Sequence, residues 1–198
     1  RGGNVCSKVQ TTEICSRNAA ILDGQWHHLV YSNNSGTADL WLDGKVVNHI
    51  AAQPLAASGG GTAILGFASQ ANQDYFNGQL DDVRIFRYSQ AAQVVAQLLA
   101  RAPFFLSHLD DEDAADGMIE DTPADFNLDC GYSADPNVNS CPQTGVKGRL
   151  GSAVDFADNN DYLRLRQTQL SSSMQSFSIS VWVKPTTVLA DPQSIWSV

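Results

Sequence analysis

The chain has 198 residues, 43% of them hydrophobic, which is enough to build a packed core in one large β domain or two small ones. Its formal net charge is -9, and Glu13, Glu112 and Glu120 are its only glutamates, so almost all of its negative charge is aspartate, a residue of turns and oxygen-rich cation sites. This balance excludes a phosphate-binding surface and hence nucleic acid as a partner; no apolar run approaches the roughly 18 residues of a membrane span, and the amino end lacks the order of a signal peptide.

In chain order, Asn4 to Val9 and Ala19 to Leu22 read as short strands on either side of a first cysteine pair, Cys6 and Cys15. Trp26 to Ser32 is a strand without a clean polar face, the pattern of a strand covered on both sides. Asp43-Gly44 separates Ala38–Leu42 from Lys45–Ile50 and predicts a two-residue hairpin turn, because both central positions need positive φ. Thr62 to Phe67 and Gln79 to Tyr88 are further strands, the second entered through an Asn77-Gly78 turn. Ser89 is placed to cap a helix over Gln90 to Arg101, in which Ala91, Val94, Val95, Leu98 and Leu99 recur at helical spacing.

Beyond Pro103 a strand from Phe104 to Leu109 is followed by an acidic loop, Asp110 to Asp129, and a second cysteine pair, Cys130 and Cys141. Neither cysteine pair has Cys-x-x-Cys spacing, and each encloses polar, turn-rich sequence. The reading is two loop-stapling disulfides and an extracellular or cell-surface location, with free thiols and intermolecular bridges as alternatives. Ala153 to Phe156, Tyr162 to Arg166 and Phe177 to Lys184 are strands, the last alternating Phe177, Ile179, Val181 and Val183 against Ser178, Ser180, Trp182 and Lys184. Ser194 to Val198 reads as an unfinished strand.

Asp23-Gly24-Gln25-Trp26-His27-His28-Leu29-Val30, Leu40-Trp41-Leu42-Asp43-Gly44 and Phe76-Asn77-Gly78-Gln79-Leu80-Asp81-Asp82-Val83-Arg84-Ile85-Phe86 resemble the second half of a laminin-G-like domain of the concanavalin A-like jelly-roll superfamily. Gly148-Arg149-Leu150-Gly151-Ser152-Ala153-Val154-Asp155-Phe156, Asn160-Asp161-Tyr162-Leu163 and Ser176 to Pro185 resemble the first half. The resemblance implies an all-β, two-sheet antiparallel sandwich with one short helix. Residues 1–103 would be the C-terminal half and residues 104–198 the N-terminal half of one domain equivalent.

Reading Val198 onward into Arg1-Gly2-Gly3 continues one strand into the next turn. A circular permutant, a slice of a tandem array and a polymer subunit sharing half-domains with its neighbours all produce this order. Both chain ends fall where an apolar strand should pair, which favours an array or a polymer in which another copy covers them.

Superfamily members that cleave β-glucans carry paired carboxylates spaced Glu-x-Asp-x-Glu on one strand face; no such spacing occurs here, so the expectation is a non-enzymatic protein. His27 and His28 are adjacent on a strand, point to opposite faces and cannot grip one ion together. Asp81 and Asp82 resemble a calcium-bearing position of the superfamily, and the analogy brings Asp110 and Asp121 near them, implying a structural calcium. Trp41, beside the hairpin, is the candidate sugar platform. The leading functional expectation is a self-associating structural repeat, with glycan binding by an adhesin or secreted enzyme as the alternative.

Overall fold

The computed structural model describes residues 4–9, 12–16, 21–51, 63–67, 75–86, 105–111, 118–119, 128–131, 140–157, 160–165, 176–186 and 193–197. The described residues form fifteen strands and contain no helix. The strands are β1 (Val5–Val9), β2 (Thr12–Cys15), β3 (His27–Asn34), β4 (Thr37–Leu42), β5 (Lys45–Ala51), β6 (Ile64–Leu65), β7 (Gly78–Phe86) and β8 (Phe105–Ser107). They continue with β9 (Met118–Ile119), β10 (Leu128–Asp129), β11 (Gln143–Lys147), β12 (Ser152–Phe156), β13 (Leu163–Leu165), β14 (Ser176–Pro185) and β15 (Gln193–Ser197).

They make two sheets. One is ordered β2-β1-β15-β6-β13-β10-β9; the other is ordered β11-β12-β7-β14-β3-β4-β5, with β8 added to β7. In the second sheet β14 lies between β7 and β3, so strands from the two ends of the sequence interleave. The period-2 pattern of β14 explains its central place. Phe177, Ile179, Val181 and Val183 are all at most 3% exposed and meet Leu29, Tyr31, Leu80 and Ile85 in the core between the sheets. Burying each such side chain contributes roughly 1.5–3 kcal/mol. Tyr31 joins the layers: its ring lies 5.6 Å from Phe177 in its own sheet and 5.0 Å from Trp196 in the other.

The Asp43-Gly44 hairpin forms as expected, with φ of 49° at Asp43 and 78° at Gly44 between β4 and β5. β3 is buried over most of its length, in keeping with a strand covered on both sides. Both cysteine pairs are disulfides, Cys6–Cys15 and Cys130–Cys141. The first is not in a loop, however: Cys6 and Cys15 face each other in the β1–β2 ladder. The second strand of the opening hairpin is Thr12–Cys15; Ile14 is its one core side chain, too little apolar signal to read from sequence. Of the expected strand Ala19–Leu22, residues 19–20 lie outside the described residues and Ile21 and Leu22 are not strand.

The stretch read as an acidic loop contains two-residue strands β9 and β10, which pair with each other and extend the seven-stranded sheet through β13. The expected helix over residues 90–101 lies outside the described residues.

The terminal strands, expected to be unpaired, are paired within the chain. β1 pairs with β2 and β15, and β15 pairs with β1 and β6, so both terminal strands have two neighbours within the chain. β15 runs parallel to β1, the one parallel pairing among the described strands. A direct run-on from β15 into a turn before β1 does not produce that arrangement, because parallel neighbours require a crossover.

Candidate functional site

Two half-length partners share one edge of β7. β12 pairs with Gly78 to Leu80, and β8 pairs with Val83 to Ile85. Asp81 and Asp82 occupy the junction, where the pairing with β14 also slips between Ser180 and Trp182 and Asp82 takes φ of 51°. A bulge of this kind re-aims side chains, and aspartate tolerates the left-handed conformation better than most residues.

Asp81 is fully buried, and its Oδ2 accepts the backbone N–H groups of Arg149 at 2.7 Å and Leu150 at 2.8 Å. Its Oδ1 is buried with no hydrogen-bond partner. Burial raises the Asp81 pKa to about 6 against the lowering effect of those two N–H groups, and the charges of Asp82 and Asp110 push it the same way as burial.

Asp110 holds the other side of the same turn: its Oδ1 accepts the Ser152 N–H at 2.7 Å. The turn between β11 and β12 has glycine at both ends. A Cβ at Gly148 would run first into the Ser152 carbonyl group and also stand 2.8 Å from Asp81 Oδ2, and one at Gly151, which has φ of 70°, would stand 2.7 Å from Asp110 Oδ1.

The carboxylate of Asp82 turns elsewhere, pairing with Arg84 at 2.8 Å and His108 Nδ1 at 3.2 Å. Asp121 lies outside the described residues. Of the oxygens expected to hold calcium, Asp81 Oδ2 and Asp110 Oδ1 face N–H donors, while Asp81 Oδ1 faces none. Among the described residues, moreover, these carboxylates make no group of three potential ligands within 4.8 Å of one another.

The turn braced by Asp81 and Asp110 carries Arg149, whose guanidinium lies 4.9 Å from the ring centre of Trp182. Trp182 is half-buried and faces His28 across the β14–β3 ladder, ring centres 5.0 Å apart. His28 Nε2 lies 2.7 Å from Ser180 Oγ, and burial lowers the His28 pKa, with smaller opposing effects from Asp43 and Asp82. Ser180 is 4% exposed, and the strand backbone around it pairs with β3 and, across the slip, with β7.

His27 points the other way, as adjacent strand positions require. Its Nδ1 lies 2.8 Å from Asp43 and its Nε2 3.0 Å from Asp23, so both nitrogens donate when the ring is charged. Burial opposes that charge, but the bonds to Asp43 and Asp23 outweigh it and hold the pKa above 6.5.

Trp41 is not a platform. It is 5% exposed and packs with Val30 and Phe86 in a small cluster separate from the main core. Trp182 is the aromatic residue that reaches this surface, and alternation with the core residues of β14 was the signal that could have singled it out.

Residues 4–96 match a laminin-G-like family model described as the concanavalin A-like lectin/glucanases superfamily. No curated protein and no solved structure matches the chain.

Proposed function

We propose that the chain, whose residues 4–96 match the family model of the concanavalin A-like lectin/glucanases superfamily, is a non-enzymatic, extracellular adhesive module that binds glycans. The Arg149–Trp182–His28 surface carries this reading. A half-buried indole flanked by a guanidinium and an imidazole offers an apolar face with polar groups at its border, the chemistry that sugar rings require.

The engagement of the acids supports a non-catalytic role. Asp81 and Asp110 hold backbone N–H groups, Asp82 holds Arg84 and His108, Asp23 and Asp43 hold His27, and Asp39 holds His49. The two disulfides support an oxidising location.

Binding of the labelled chain to an immobilised glycan panel tests the proposal. The expected result is retention by a defined glycan class, with Trp182→Ala lowering affinity about 10-fold or more. A folded chain that binds no glycan on the panel overturns it.

Self-association is the competing reading, and the edges of the eight-stranded sheet argue against it. β11 is an edge strand interrupted by a bulge and a positive-φ Gly145, while β5, at the other edge, begins with the exposed Lys45; both features discourage edge-to-edge pairing. Head-to-tail exchange of half-domains would also have to compete with the pairing of β14 against β3 and β7 inside one chain, where the effective concentration is on the order of millimolar.

A further inference from the structure

Cys6 and Cys15 stand directly opposite each other on β1 and β2, with Cα atoms 4.1 Å apart. Glu13 lies two residues before Cys15 on the same face of β2, and a carboxylate oxygen of Glu13 and the two sulfurs all lie within 4.8 Å of one another. The hairpin has supports besides the S–S bond. Ser16 N–H donates to Val5 O at 2.9 Å, Val5 N–H donates to Ser16 Oγ at 3.1 Å, Asn48 Nδ2 donates to Cys15 O at 2.8 Å, and β1 also pairs with β15. Opening the disulfide therefore leaves two thiols and a carboxylate converging on one point of an intact sheet.

We infer that this hairpin is a redox-gated site for a thiophilic divalent cation of the zinc class, closed when Cys6–Cys15 is oxidised and open when it is reduced. A dithiol reductant transfers two electrons and two protons to the S–S bond, becoming a disulfide itself and leaving Cys6 and Cys15 as thiols. The cation then displaces both thiol protons and takes two thiolates, the Glu13 carboxylate and a water. Tetrahedral zinc with sulfur ligands at about 2.3 Å places two sulfurs roughly 3.8 Å apart, which side-chain rotation across a cross-strand pair supplies without moving the backbone. Among the described residues no third ligand stands within the same distance of Cys130–Cys141.

Cobalt(II) serves as the probe, because thiolate ligation gives a near-ultraviolet charge-transfer band. The background is Cys130→Ser/Cys141→Ser, in which Cys6 and Cys15 are the only thiols, reduced with a phosphine in the absence of oxygen. The expected result is a saturable band at one cobalt per chain, absent from the oxidised protein and reversed by zinc, with Glu13→Gln weakening binding on the order of 10-fold. Loss of the β-sheet circular dichroism on reduction, no band, a band in the oxidised protein, or one indifferent to Glu13→Gln overturns the inference.

Discussion

In the eight-stranded sheet β3, β7 and β14 run eight, nine and ten residues and pair along most of their lengths, whereas β6, β9 and β10 of the other sheet have two residues each. Both disulfides fall on the side of the short strands: Cys6 and Cys15 lie within β1 and β2, and Cys130 directly follows β10. A long strand gains ladder bonds and buried side chains in proportion to its length. A two-residue strand gains almost none, so its position depends on the opposite layer and on covalent limits to the unfolded chain. One sandwich is thus held from one side by a continuous ladder and from the other by staples.

The sharpest way to break this contrast is at the shared aromatic contact. Trp196→Ala on β15 and Phe177→Ala on β14 should each cost about 3–5 kcal/mol in urea unfolding, since both rings pack on Tyr31 and are at most 2% exposed. One common transition is expected in both variants. Two separate transitions would mean that the sheets unfold independently. Next in size, Cys130→Ser/Cys141→Ser should cost about 2–4 kcal/mol, and hydrogen exchange should accelerate in β10 and β13 while β3 and β14 stay protected. Equal acceleration in both sheets would remove the distinction.

Smaller effects come from the two aspartate clamps. Asp81 is raised from 3.8 to about 6 in the folded state, so its stabilising contribution is complete below pH 3.8 and is lost as pH rises through about 6. Asp81→Asn should flatten stability across that window by on the order of 1–2 kcal/mol, read from urea midpoints at successive pH values. His27 is raised above 6.5, so its contribution is present below 6.5 and disappears as pH climbs past its folded value. His27→Gln should cost about 1 kcal/mol at pH 6 and lose that dependence. Smallest of all, a chelator such as EDTA should leave the melting temperature unchanged, because Asp81 Oδ2 and Asp110 Oδ1 bind N–H groups; a drop on chelation that calcium restores would return these acids to a metal.

Where side-chain pattern and local turn chemistry coincide, the fold was legible in the sequence. The alternation of β14 and the Asp43-Gly44 turn depend on neighbours in the chain and gave strand and hairpin directly. β2, β9, β10 and β11 were missed because their pairing is imposed from outside: β11 reads Gln143-Thr144-Gly145-Val146-Lys147 and buries little. The site was less legible for a related reason. Asp81 was read with the acids beside it, yet what it holds are N–H groups 68 and 69 positions away. Trp41 and Trp182 both sit on strands of one sheet, and strand periodicity does not say which part of a sheet face is covered. Trp41 lies under its own apolar cluster, whereas Trp182 sits beside the Arg149 turn. The strands at the two chain ends were expected to be unpaired because parallel contact between β1 and β15 leaves no mark in either strand.

The central claim is that strands from both ends of the chain complete one sandwich within a single molecule. Light scattering of the purified chain across a hundredfold range of concentration addresses it most directly. The expected result is the mass of one chain throughout, with an unchanged β-sheet spectrum. A mass that rises with concentration, or fibres in the same sample, would show that β14 and β3 find their partners in neighbouring copies and would contradict the claim.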